Sequence, residues 1–260
     1  MTKTALITGA SSGIGYELAH EFAKHKTNVV ITARNEAKLN ALKVELESAY
    51  NIEVEVIPLD LSITNSAQHL FDVTQARGIH IDYLVNNAGF GEFGHFKDIP
   101  WQKEAEMIQL NITSLTQLTK LYSQPMIERK GGRIMNVSST AAFQPGPLMA
   151  VYYATKAYVL HFSEAIHNEL KDHHISVTAL CPGATDSGFE VAASLQESKL
   201  FKNRKLATSK DVAQYGYAAM MKGKPVAIHG FMNKVFAFSG RFAPRGVVTA
   251  FVRNLQEISK

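Results

Sequence analysis

The sequence predicts an α/β fold, a parallel sheet covered by helices on both faces. Three observations carry that prediction. Short β-branched runs alternate with longer stretches of helical period along most of the 260-residue chain. Hydrophobic residues make up 46% of the sequence, enough to bury a substantial core. No domain-sized linker, low-complexity tract or short-period repeat interrupts the alternation, so a single domain is expected.

Taken in order, the strand candidates are 4–8 (TALIT), 28–33 (NVVITA), 53–59 (EVEVIPL), 81–86 (IDYLVN), 133–138 (RIMNVS), 176–181 (SVTALC) and 225–228 (PVAI). Helical patterns fill the gaps at 13–25, 35–49, 65–76, 101–130 (a stretch long enough to be split), 151–172 and 209–222. Repeated strand–helix–strand units favour parallel pairing with right-handed crossovers.

Composition narrows the setting. The single cysteine, Cys181, excludes an internal disulfide and suits a reducing compartment. Strand-like sequence begins at Lys3 with no basic, apolar leader ahead of it, and no apolar run reaches the ~18 residues of a membrane-spanning helix, so a cytoplasmic location is expected. The net charge is +4, but from Lys222 onward seven basic residues stand against Glu257 alone. The positive excess therefore belongs to the tail, and nucleic acid is not an expected partner. His173 and His174 have no partner at ligand spacing, so no metal is expected.

The first strand runs into TGASSGIG, with glycines at 9, 13 and 15 between a strand and a helix. That arrangement suits a tight turn, close backbone approach to a pyrophosphate, and a phosphate at a helix N-terminus. Its spacing, Gly-x-x-x-Gly-x-Gly, departs from the Gly-x-Gly-x-x-Gly form. The second strand leads to Arg34, with Lys38 one turn later and no acidic residue before Glu36. A basic residue there suits a ribose 2′-phosphate, whereas an acid would suit a free 2′-hydroxyl, so NADP(H) is expected over NAD(H). Asp60-Leu61 and the segment Asn86–Gly89 fall at the carboxyl ends of the third and fourth strands, where ligands bind in open α/β sheets. Further on, VYYATKAY places Tyr152 four residues and Tyr153 three residues before Lys156. On a helix either phenol lies near the ammonium, and the spacing alone leaves the choice open.

Together, Thr8–Gly15, Asp60, Asn86–Gly89, Asn111, Ser139, Tyr152 with Lys156, and CPGATDS at 181–187 resemble the short-chain dehydrogenase/reductase family. The resemblance implies a doubly wound Rossmann-type sheet of seven strands in order 3-2-1-4-5-6-7, with helices on both faces and a helical C-terminal tail. It selects Tyr152, four positions before Lys156 and thirteen after Ser139. The implied catalytic set is Asn111, Ser139, Tyr152 and Lys156. The implied cofactor contacts are Gly9, Ser11, Ser12, Gly13, Ile14 and Gly15 of the turn; Arg34, Lys38, Asp60 and Leu61; Asn87, Ala88 and Gly89; Tyr152 and Lys156; and Pro182, Gly183, Thr185 and Ser187. Ser187 stands where the family often has threonine and keeps the hydroxyl. Lys156 is expected to bond the nicotinamide ribose, and Asn111 to anchor a water linking Lys156 to solvent. A free phenol has a pKa near 10, and a neighbouring ammonium favours its ionised form. Lys156 is thus expected to bring Tyr152 toward the working range of a general acid/base, with Ser139 holding the carbonyl oxygen. The family also implies a homodimer or homotetramer.

The expected activity is that of an NADP(H)-dependent carbonyl reductase or alcohol dehydrogenase. Phe90, Phe93, Phe143, Leu148, Met149 and Phe189, in loops beyond the strand ends, suggest an apolar small-molecule carbonyl or alcohol as substrate. The catalytic domain is expected over 1–228, with a substrate loop at 187–207. A basic, apolar extension follows over 229–260. In it Phe231, Val235, Phe238 and Phe242 recur at helical spacings with Lys234, Arg241 and Arg245 between them, and Pro244 and Gly246 divide it into two short helices. Such a tail can pack on its own core or another subunit, cap the cleft, or lie peripherally on the inner membrane surface.

Overall fold

The computed structural model of the chain describes residues 2–189, 193, 206–240 and 242–257. Most of the expected substrate loop 187–207, together with Arg241 and the last three residues, lies outside them. Seven parallel strands form the central sheet: β1 (Thr4–Thr8), β2 (Asn28–Thr32), β3 (Val54–Val56), β4 (Tyr83–Asn86), β5 (Gly132–Val137), β6 (Ile175–Cys181) and β7 (Val226–Ile228). Their order is 3-2-1-4-5-6-7, as expected. Leu6 of β1 sits opposite Val30 of β2 on one side and Leu84 of β4 on the other. The chain winds outward in both directions from β1, so a crevice opens at the carboxyl ends of β1 and β4.

Side chains alternate across each strand, and both faces are dry. Ala5, Ile7, Val29 and Ile31 pack beneath Leu18 and Phe22 of α1 (Gly13–Lys24), Leu39, Leu42 and Leu46 of α2 (Glu36–Tyr50), and Val212 and Met220 of α7 (Ser209–Met221). Leu6, Val30, Leu84 and Ile134 pack instead against Leu70 of α3 (Ser66–Ala76) and Leu118, Tyr122 and Met126 of α5 (Leu115–Glu128). This period-2 division is why the strands read as nearly continuous apolar runs. Local chemistry sets the helix ends. The Asn35 side chain accepts from Lys38 N at the start of α2, and Thr208 accepts from Asp211 N at the start of α7, caps worth about 1 kcal/mol each.

One expectation changes, and the split allowed for in 101–130 is present. The third strand is ladder-paired only over Val54–Val56, although Ile57 N and Leu59 N still donate to Ile31 O and Ala33 O. Pro58 between them has no N–H to give. The stretch 101–130 forms α4 (Trp101–Ile108), a π-helical turn (Gln109–Ser114) and α5. After α6 (Ala150–Leu170), a two-stranded parallel ribbon joins Thr185–Asp186 to Ala207–Thr208. The tail forms α8 (Phe231–Ser239) and α9 (Arg245–Gln256), the latter entered from Pro244. Among the described residues, no helix is long and apolar enough to cross a membrane.

Candidate active site

The glycine-rich turn is braced by the end of β4. The Thr8 hydroxyl accepts from Asn87 N (3.0 Å) and Ala88 N (2.9 Å), while the Asn87 amide donates to Thr8 O (2.9 Å) and Gly9 O (3.2 Å). Gly13 has φ +57°, and a Cβ there would stand 2.7 Å from Ser187 O. A Cβ on Gly15 would collide with Gly9 O and the Asn87 amide. The turn therefore has no room for side chains at either position. α1 starts at Gly13 with no side-chain cap and no acid in its first turn. Its leading amides are thus free of side-chain competition at a positive helix end. A bare backbone cradle at a helix N-terminus fits a dinucleotide pyrophosphate.

A cleft of about 1120 Å³ runs from this turn across the carboxyl ends of the strands. Its lining includes Gly9, Ser11, Ser12, Gly13, Ile14, Arg34, Lys38, Asp60, Leu61, Asn87, Ala88, Gly89, Ser139, Tyr152, Lys156, Pro182, Gly183, Thr185 and Ser187. Gly15 and Asn111 stand behind the lining. Arg34 and Lys38 are exposed at one end of the cleft, and neither is ion-paired among the described residues. Asp60 Oδ1 accepts from both the backbone N and the hydroxyl of Ser62, which orders the loop after β3.

The chemical groups converge at the other end. Ser139 follows β5; its Oγ accepts from Ala141 N (3.1 Å) and donates to Pro182 O (3.5 Å). Tyr152 and Lys156 lie in the first two turns of α6 and are buried. Lys156 Nζ donates to Val137 O (2.9 Å) and lies 5.7 Å from the Tyr152 ring centroid. Asn111, held in the π-helical turn, donates to Phe90 O and Thr155 Oγ1 and accepts from Phe90 N. A Cβ on Gly89 would be 3.0 Å from Asn111 Oδ1 and 3.4 Å from Lys156 Nζ, so both polar groups crowd one glycine.

Electrostatics here differ from the sequence expectation. Burial pushes the Tyr152 phenol up, and hydrogen bonding with Ser139 offsets only part of that effect. Burial also brings Lys156 down to about 8. Desolvation disfavours both charged forms, and the ammonium is spent on a backbone carbonyl while lying beside the ring. Tyr152 is thus held as a neutral proton donor rather than drawn toward its phenolate. Burial pushes the Cys181 thiol up to about 12, which leaves it inert.

The two tyrosines take different partners. Tyr152 pairs with Ser139, whereas the Tyr153 hydroxyl receives a hydrogen bond from Gln256 of α9. Sequence reasoning missed this second contact and several cleft residues, namely Lys103, Glu106, Asn233, Phe236 and Ala237. Asn233 fits against Gly183, where a Cβ would collide with its amide. Those residues sit on α4 and α8, and no local signal marks them. Of the expected substrate-side residues, Phe90, Met149 and Phe189 line the cleft. Phe93 packs in the cluster behind it, Phe143 joins a separate cluster with Leu160 and Ala237, and Leu148 takes φ +67° outside the lining. Among the described residues, no His, Cys, Asp or Glu group could hold a metal.

Comparison with known proteins agrees with this geometry. A family model described as short chain dehydrogenase matches residues 3–198. A very-long-chain 3-oxoacyl-CoA reductase of Rattus norvegicus is 34% identical over 263 residues, covering 97% of this chain and 80% of that protein. The 17-beta-hydroxysteroid dehydrogenase type 3 of Homo sapiens is 35% identical over 190 residues, which span 72% of this chain but only 60% of that longer protein. A solved short-chain dehydrogenase from Sphingobium yanoikuyae in complex with NADPH superposes with TM-score 0.83 at 27% identity, covering 99% of both chains. With its sheet order, glycine turn and serine–tyrosine–lysine cluster in place, the chain belongs to the short-chain dehydrogenase/reductase family of oxidoreductases.

Proposed function

We propose that this enzyme is an NADP(H)-dependent carbonyl reductase that works on an apolar substrate, with the alcohol oxidation as its reverse. The observation that carries the reading is a single cleft joining three features: the glycine turn, Arg34 and Lys38 with no ion pair among the described residues, and a Tyr152 kept neutral by burial beside Ser139. When bound, the nicotinamide supplies or accepts the hydride. The remaining chemistry belongs to the chain. Ser139 Oγ holds the substrate oxygen and stabilises its developing charge. Tyr152 gives that oxygen its proton, and Lys156, cationic below pH about 8, stabilises the phenolate that results. Asn111 braces the segment at Phe90 that leads into the pocket.

Arg34 and Lys38 favour a 2′-phosphate, and the similar Sphingobium structure contains NADPH. Phe90, Met149 and Phe189 give the substrate end an apolar wall. The names of the relatives, an acyl-CoA reductase and a steroid dehydrogenase, point to carbonyls on large apolar frames. Residues 1–228 act as the catalytic unit, and 229–260 close its substrate side, as the burial of Val252 and Gln256 supports. The outer faces of α5 and α6 suit a homodimer or homotetramer contact; Tyr158 on α6 is exposed and stacked on Phe162.

The test is NADPH oxidation against a panel of aldehydes and ketones, wild type beside Tyr152→Phe, with NADH in parallel. Tyr152→Phe is expected to lower kcat by about 10²–10⁴ while NADPH binding, followed by fluorescence, persists. Undiminished turnover in the variant, or NADH outperforming NADPH, would sink the reading.

A further inference from the structure

The outer face of the tail is built the wrong way round for water. Ala237 of α8 is buried and Asn233 half-buried against the body of the protein. On the opposite arc Phe231 is 77% exposed, Met232 57%, and Phe242, just beyond the helix, 90%. α9 repeats the pattern: Val252 and Gln256 face inward, while Val247 (61%) and Phe251 (52%), one turn apart, face outward. Surface helices normally put charge outward and apolar residues inward. Here the outward arcs carry large apolar side chains while the inward arcs mix apolar Ala237 and Val252 with polar Asn233 and Gln256, and an exposed patch of this kind marks an interaction surface.

We propose that α8 and α9 dock this face on an anionic lipid surface, lying in the interface with their aromatic side chains among the acyl chains. Charge selects lipid over a second copy of the chain. Residues 229–260 carry five basic side chains against one carboxylate side chain, Glu257, which pairs with Arg253 at 3.6 Å; Lys234 and Arg245 are exposed, Lys234 with its Nζ 5.9 Å from the Tyr215 ring centroid. A twofold contact through this face would press two sets of like charges together. An anionic headgroup layer complements them instead, at about 1 kcal/mol per basic residue near the surface. Residues 1–228 carry 22 basic and 22 acidic side chains, so the net +4 belongs to residues 229–260 and the charge asymmetry orients the molecule tail-first. α8 has nine residues and α9 twelve, too short to span a bilayer and suited to lying along one. Phe236 belongs to both the exposed face and the cleft lining, so docking sets the mouth of the cleft at the lipid boundary.

The experiment is co-sedimentation of the full chain with vesicles of phosphatidylcholine, with and without phosphatidylglycerol. Wild type is expected to bind the anionic vesicles about tenfold or more tightly than the neutral ones. Phe231→Ser with Phe242→Ser removes apolar contacts that line no part of the cleft; it should weaken anionic binding about tenfold and keep the wild-type NADPH thermal shift. Lys234→Glu with Arg245→Glu should also abolish it with the aromatic residues intact and the wild-type NADPH thermal shift kept, the latter excluding a folding defect as the cause. Equal binding to both vesicle types, or none to either, overturns the proposal. So does a dimer, seen by sedimentation velocity, that dissociates in the Phe231→Ser/Phe242→Ser variant without any vesicle binding; that result would assign the face to a second copy.

Discussion

Tyr152 and Lys156 are both buried, and each is pushed toward its uncharged form. For the tyrosine this suits reduction, because the neutral phenol is the proton donor. For the lysine it sets a limit. Its ammonium is favoured below about 8 and lost above it, so the charge that stabilises the product phenolate disappears as pH rises. For carbonyl reduction, kcat/KM should be flat toward neutral pH and decline through pH about 8. Lys156→Arg keeps its charge at any accessible pH, so it should move the declining limb upward even if it lowers the plateau. A wild-type profile that stays flat to pH 10 would remove Lys156 from this role.

At the level of elements, α6 separates its adjacent tyrosines by the direction of each side chain. Tyr152 meets Ser139 after β5, and Tyr153 meets Gln256 of α9. Tyr153→Phe should therefore keep kcat within a few-fold of wild type, in contrast to Tyr152→Phe; equal losses in both would refute the division. Gln256→Ala removes the hydrogen bond that fixes α9 and should cost about 1 kcal/mol, read as a lower urea midpoint. Because Val252 of α9 shares a cluster with Met149 and Tyr152, the same variant should raise KM for apolar substrates more than it changes kcat. The π-helical turn acts at this scale too. It interrupts α4–α5 and holds Asn111 buried between Phe90 and Thr155. Such turns are frequent at functional sites.

For the whole molecule, cofactor binding bridges both halves of the sheet, because the cleft draws on the ends of β1 through β6. A ligand at about 100 times its Kd adds ~2.7 kcal/mol to stability, and for a chain of this size each kcal/mol moves Tm by roughly 2–4 °C. NADPH should therefore raise Tm by several degrees and NADH by less at equal concentration. Arg34→Ser with Lys38→Ser should erase the difference between the two cofactors without changing Tm in their absence, since both side chains are exposed and free of ion pairs among the described residues. A persistent preference for NADPH would place 2′-phosphate recognition elsewhere.

The strands, most helices and the glycine turn were legible from sequence because they are local. β1 at Thr4–Thr8 follows from β-branched alternation, α1 from the glycine-rich turn that starts it, and α9 from Pro244. The ordered motifs from Thr8 to Ser187 also named many of the cleft residues; most of these sit just past a strand end, while Tyr152 and Lys156 lie in the first two turns of α6. Other features needed the tertiary structure. The spacing of Tyr152 and Lys156 suggests that the cation lowers the phenol's pKa; only packing shows that both are dry and that Nζ points to Val137 O. Asn233, Phe236 and Gln256 reach the site from more than seventy residues beyond Lys156, a closure that no local pattern encodes. The sequence also announced an apolar, basic tail without saying which face it would bury. Burial is a property of the assembled surface, and only the docked helices show Phe231 and Phe242 left outside.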